Sequence, residues 1–167
     1  TRKESSAASD VYKRQELIMA LGCTEPISIA LAAAKAREIL GVIPSKIEVM
    51  CSGNIIKNVK GVTVPNTNGM KGVEAATAIG TVAGDSCLGL EVLSKVTEDD
   101  IKAAKDLMAK DIITVSLKEG VENLDIEIVA EDDDGNTVDV EIKNKHTNIV
   151  KVTTVSYTHL TLPTTPY

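Results

Sequence analysis

Two runs toward the C-terminal end, LDIEIVA at residues 124–130 and TVDVEI at residues 137–142, alternate apolar and polar residues, with Val129 the one exception. Strict alternation places the apolar side chains of a strand on a single face. Between the two lies DDDGN, residues 132–136, whose glycine and asparagine suit the tight turn of a hairpin. Two further apolar runs, at residues 112–117 and 147–152, flank the pair. A sheet with one apolar face has to be covered, so the rest of the chain is constrained to supply the cover.

Helices supply it. Pro26 stands where a first helical turn tolerates proline, and Ala30, Leu31, Ala34, Ile39 and Leu40 continue the pattern to Gly41. Residues 45–52, SKIEVMCS, put Ile47, Val49 and Cys51 on one face and read as a strand. Residues 73–83 form a second helix of small residues, in which Gly80 permits close packing. In residues 97–110 Thr97 caps, Asp100 takes the third helical position, and Ile101, Ala104, Leu107 and Met108 make an apolar stripe. Residues 52–72, rich in glycine, asparagine and lysine, read as a long loop held by interleaved Ile55, Ile56, Val59, Val62 and Val64. This order predicts an α+β class, with helices packed on one face of a mainly antiparallel sheet.

Both ends are set apart by a different argument. Back-translated, SDVYKRQ at residues 9–15 is the reverse complement of VSYTHL at residues 155–160, read in a frame shifted by two bases. Two ends of one protein have no physical reason to encode opposite strands of one oligonucleotide. Residues 1–15 and 155–167 therefore read as translated adapter tails, and residues 16–154 as one domain from within a longer reading frame.

All three tyrosines fall in those tails, so the domain builds its core without an aromatic side chain. Removing the basic N-terminal tail also turns the net charge of −6 into −8. An acidic domain with no aromatic platform is not expected to bind nucleic acid. No apolar run reaches membrane-spanning length, which predicts no membrane partner. Cys23, Cys51 and Cys87 are too widely spaced for a disulfide framework or a metal knuckle, which favours a reducing, cytoplasmic setting. Cys51 and Cys87 read as packing residues, and the acidic residues 131–134 as a solvated turn that lacks calcium-loop spacing.

The residues suited to chemistry gather in three places. Cys23 and Glu25 stand at the start of the first helix, where the helix dipole favours a thiolate and the carboxylate opposes it. Such a pair suits proton exchange, and both are catalytic candidates; a small buried cysteine beside a capping Thr24 is the alternative. Thr24, Asn54, Lys57, Asn58, Thr67 and Lys71 offer the amides, hydroxyls and ammonium groups that would hold a small zwitterion. His146, Thr147 and Asn148 open the last strand and would reach across to that loop. The competing readings are a solvated surface loop and a structural histidine. No residue is assigned to a metal.

GCTEP at residues 22–26, SGNIIKN at 52–58, GVTVPNTNGMKG at 61–72, GLEVL at 89–93 and HTNI at 146–149 resemble the N-terminal portion of the L-cysteine desulfidase family. That family is related to the iron–sulfur L-serine dehydratases, and similar members are labelled serine dehydratase α-chain-like. The resemblance implies elimination of hydrogen sulfide from L-cysteine, giving pyruvate and ammonia, or a related reaction of L-serine. It also implies a [4Fe-4S] cluster whose cysteine ligands lie in a C-terminal half outside this chain, with Cys23 as an acid/base group. Asn66 and Asn68 in PNTNG depart from the family's glycine-rich turn. The partners implied are an amino-acid substrate, the missing cluster-binding half and a second subunit. A non-catalytic amino-acid-binding regulatory domain is the alternative.

Overall fold

The computed structural model describes residues 24–121 and 123–155. Its elements are α1 (Thr24–Leu40), β1 (Lys46–Ser52), α2 (Gly53–Val59), α3 (Gly72–Ala83), a 3-10 segment (Ser86–Glu91), α4 (Glu98–Ala109), β2 (Ile113–Lys118), β3 (Asp125–Glu131), β4 (Thr137–Lys143) and β5 (Ile149–Val155). The strands form one sheet in the order β2-β1-β3-β4-β5. Only β1 with β2 is parallel; the other three pairs are antiparallel. The fold is α+β.

α1 is the centre of the molecule. It packs against β3 and β4 on one side and α3 on the other. A helix enclosed in this way needs small or apolar residues all round rather than one stripe. Residues 26–34 are buried without interruption, Ser28 included. Gly41, with φ of 83°, ends the helix and returns its N–H to the Arg37 carbonyl at 2.9 Å. Gly80 of α3 lies against the α1 backbone: a Cβ there would stand 2.4 Å from the Ala30 carbonyl oxygen. Thr77 and Thr81, both buried in α3, satisfy their hydroxyls on the carbonyls one turn back.

On the helix-covered face one row crosses all five strands, from Val115 through Val49, Ile128 and Val140 to Val152. Val49, Ile128 and Val140 are buried, whereas Val152 on β5 is 46% exposed. The opposite face is held by charge. Lys118 meets Asp125 at 3.2 Å, Glu127 at 2.9 Å and Glu141 in a shorter contact. Lys143 reaches Asp125 and Glu141, and Lys151 reaches Asp139 and Glu127. Asp125 is completely buried, so these cations are what make its charge tolerable. Its charge and, above all, burial push the nearby Cys51 thiol up to about 12, leaving it protonated.

Four sequence expectations need correction. Residues 53–59 are helical rather than loop, because Ser52 caps them through the Ile55 N–H and Ile55 and Val59 bury one face. Residues 146–148 precede β5 and form its turn rather than its first residues, with Asn144 at φ of 68°. Val155 pairs with Thr137, so the sheet runs one residue past the boundary drawn at 154. Cys87, read as a packing residue, is exposed in the 3-10 segment.

Candidate functional site

β1 and β2 end, and β3 and β5 begin, at the same end of the sheet, as the parallel and antiparallel pairings require. The turn between β4 and β5 and the start of α1 meet there. Thr24 Oγ1 and His146 Nε2 are 2.8 Å apart, and the tautomer of the ring decides which donates. Glu25 Oε1 is 4.0 Å from the same nitrogen. From one turn further along α1, Ser28 donates its hydroxyl toward the His146 carbonyl at 2.8 Å and the Thr24 carbonyl at 3.1 Å. Ring and backbone of His146 are thus both fixed to the helix. The imidazole remains 36% exposed and the Glu25 side chain 18%, so the junction is open to solvent.

The turn itself is built to hold this position. Asn148 donates its side-chain amide to the Lys143 carbonyl at 3.0 Å, and its backbone N–H to the Lys145 carbonyl at 3.1 Å. Its role is to close the turn. Thr147 is exposed beside it. The His146 imidazole and the Thr24 hydroxyl, far apart in sequence, are therefore held together by a hydrogen bond, with the Glu25 carboxylate 4.0 Å from the ring. Chemically they offer a proton carrier, a neutral donor or acceptor and an anion.

The other candidates fall elsewhere. Cys23 lies outside the described residues. Asn54 lines a cleft of about 290 Å³ with Ser52, Lys118 and Asn123, at the same sheet end but on the β1–β2 side. Lys57 and Asn58 are exposed on α2. Lys71 lines a different groove of about 340 Å³ with Ile56, Val73, Met108 and Val115. Thr67 is buried and donates to the Val64 carbonyl at 2.6 Å, which closes the turn carried by Asn66 and Asn68 at φ of 60° and 54°. The structure brings together Thr24, Glu25 and His146; Asn54 and Lys71 line separate clefts.

Sequence reasoning missed Ser28 and the outer-face network. Ser28 had a signal: a hydroxyl one turn after Thr24 inside an otherwise apolar helix. Lys118, Asp125, Glu127 and Glu141 had one too, since they occupy alternate positions of their strands on the face opposite the core. Among the described residues, no three His, Cys, Asp or Glu side chains are grouped to hold a metal ion. No described helix is long and apolar enough to cross a membrane.

An α+β domain with a polar junction at one sheet end is what the fold and geometry define. No family model matches the chain. It is similar to proteins named UPF0597 protein: 87% identical to one from Finegoldia magna over 140 residues, 84% of this chain and 34% of that relative. A second, from Treponema denticola, is 49% identical over 137 residues, 82% of this chain and 32% of the relative. A third, from Lachnoclostridium phytofermentans, is 47% identical over 143 residues, 86% of this chain and 34% of the relative. The chain spans about a third of the length of these relatives.

These likenesses overturn the desulfidase resemblance. The relatives carry the name of a separate family, UPF0597, and none of these names refers to a cysteine desulfidase, a serine dehydratase or an iron–sulfur protein. The expected elimination of hydrogen sulfide, the link to L-cysteine breakdown and the iron–sulfur chemistry fall with it. The structure shows why three of the short motifs mislead. PNTNG is a tight turn with two left-handed asparagines, GLEVL holds Gly89 at φ of 57° before the buried Val92 and Leu93, and HTNI is the β4–β5 turn. The first two are needed by the backbone whatever the protein does, and so is Asn148 of the third.

Proposed function

We propose that this domain supplies one wall of a binding site for a small amino acid, in a longer protein whose remaining length supplies the other wall. The observation that carries the reading is the junction itself: Thr24 and His146 in contact at 2.8 Å, with the Glu25 carboxylate at 4.0 Å from the same ring nitrogen. A zwitterion needs an anion for its ammonium group and donors for its carboxylate. Glu25 provides the first; His146 and Thr24, at the positive end of α1, provide the second. Ser28 and Asn148 act as positioning residues, because they fix the turn that carries the imidazole.

The test separates a zwitterion site from a generic charged surface. L-amino acids, the matching deaminated acids and the matching amines are titrated against the 167-residue chain by calorimetry. A site of this kind binds the amino acid at least about tenfold more tightly than either single-charge analogue, since each lost contact to a charged group is worth roughly 1.5–3 kcal/mol. His146→Ala and Glu25→Gln are each expected to weaken the amino acid by a similar factor while the fold stays intact. Equal binding of all three ligand classes, or none by the amino acid, contradicts the proposal.

A further inference from the structure

Among the described residues β5 is an edge strand, yet it does not look like one. Edge strands are normally shielded by proline, by charge or by a bulge that turns the edge away. β5 reads IVKVTTV, with no proline and one charged residue, and its only irregularity sits near its start, opposite Glu141 and Ile142. Lys151 does not guard the edge, because its ammonium is drawn onto the outer face by Asp139 at 3.0 Å and Glu127 at 3.7 Å. Three of the large apolar side chains exposed among the described residues, Val150, Val152 and Val155, lie on this strand. The core row Val49, Ile128, Val140, Val152 is buried as far as Val140 and then stops in the open.

We infer that a second copy of the chain pairs with this edge, β5 against β5, antiparallel about a two-fold axis at Val152. The register is self-complementary. Val152 lies opposite the second copy's Val152, Val150 opposite Thr154, and Lys151 opposite Thr153, so no like charges face each other. The core row then continues unbroken from one sheet into the other. On the outer face each Lys151 lies across from a Thr153 whose neighbour on β4 is Asp139, so the cation of one copy approaches the acidic face of the other. Pairing of this kind is closed by the two-fold axis and produces a dimer with one ten-stranded sheet.

Seven-residue strands bury less than the ~1,600 Å² of a standard interface, so the dimer is expected to dissociate in the range of about 10–100 µM. Sedimentation velocity of the 167-residue chain from about 1 µM to 1 mM tests this directly. The expected result is a monomer–dimer equilibrium that goes no further. Val152→Lys sets two lysines opposite each other and is expected to weaken the dimer by more than about tenfold. A second variant set does not depend on disruption: with Cys23→Ser and Cys87→Ser in place, Val152→Cys should cross-link to a covalent dimer on oxidation, while Val150→Cys, opposite Thr154, should not. A monomer at every concentration, species larger than a dimer, a dimer indifferent to Val152→Lys, or equal cross-linking at 150 and 152 would each overturn the inference.

Discussion

Replacing Gly80 by alanine is expected to lower stability by about 2–4 kcal/mol, even though alanine is the better helix former by about 1 kcal/mol. The new methyl group would stand 2.4 Å from the Ala30 carbonyl oxygen and 2.5 Å from its Cα. Those are backbone atoms of α1, and no rotamer change relieves the clash. The two helices have to separate, and α1 cannot retreat because β3 and β4 lie behind it. Thermal or urea unfolding of Gly80→Ala beside Gly61→Ala checks this, since position 61 has open space and an ordinary φ. Gly61→Ala is expected to leave stability unchanged or slightly raised; equal behaviour of the two would show that the α1–α3 contact is looser than the geometry describes.

Lys118→Met is expected to cost about 3–5 kcal/mol, because it leaves Asp125, Glu127 and Glu141 facing one another with too few cations. The same network sets a pH dependence. Hydrogen bonds from the Lys118 ammonium to Glu141, Glu127 and Asp125 outweigh its desolvation and raise its pKa from 10.5. A lysine whose pKa is raised on folding contributes its full stability below the unfolded value and loses it as the pH climbs through the folded one. The native chain should therefore weaken above pH of about 10.5, and the gap between it and Lys118→Met should narrow there. A gap that stays constant from pH 8 to pH 12 would mean the ion pairs contribute nothing beyond packing.

What was legible in the sequence is what is local. The capping box joining Thr97 and Asp100, the end of α1 at Gly41 and the β3–β4 hairpin each depend on residues a few positions apart. Gly80 was also legible as a site of close helix contact, since only glycine removes the Cβ. α2 was not, because glycine and asparagines masked the helical spacing of Ile55, Ile56 and Val59. The parallel pairing of β1 with β2 was not either. Strand partners are chosen across tens of residues, and the same alternating pattern fits a parallel or an antiparallel neighbour.

The candidate site was half legible for the same reason. The chemistry of Thr24, Glu25 and His146 could be named from residue type, but their meeting depends on where the β4–β5 turn lands on α1. Thr67 shows the opposite failure. Its hydroxyl looked available in a loop, yet a buried turn consumed it. Short motifs of glycine, asparagine and threonine served the backbone here, and reading them as a desulfidase pattern assigned chemistry to turns.

The proposed amino-acid site lies at the junction of α1 with the β4–β5 turn. Heteronuclear NMR of the labelled chain, titrated with an L-amino acid, locates the contact without assuming it. Saturable shifts are expected, centred on the His146 imidazole and the backbone amides of Glu25 and Ser28, and lost in His146→Ala. Shifts centred instead on the groove of Lys71, Met108 and Val115, with His146 unmoved, would contradict the proposed site.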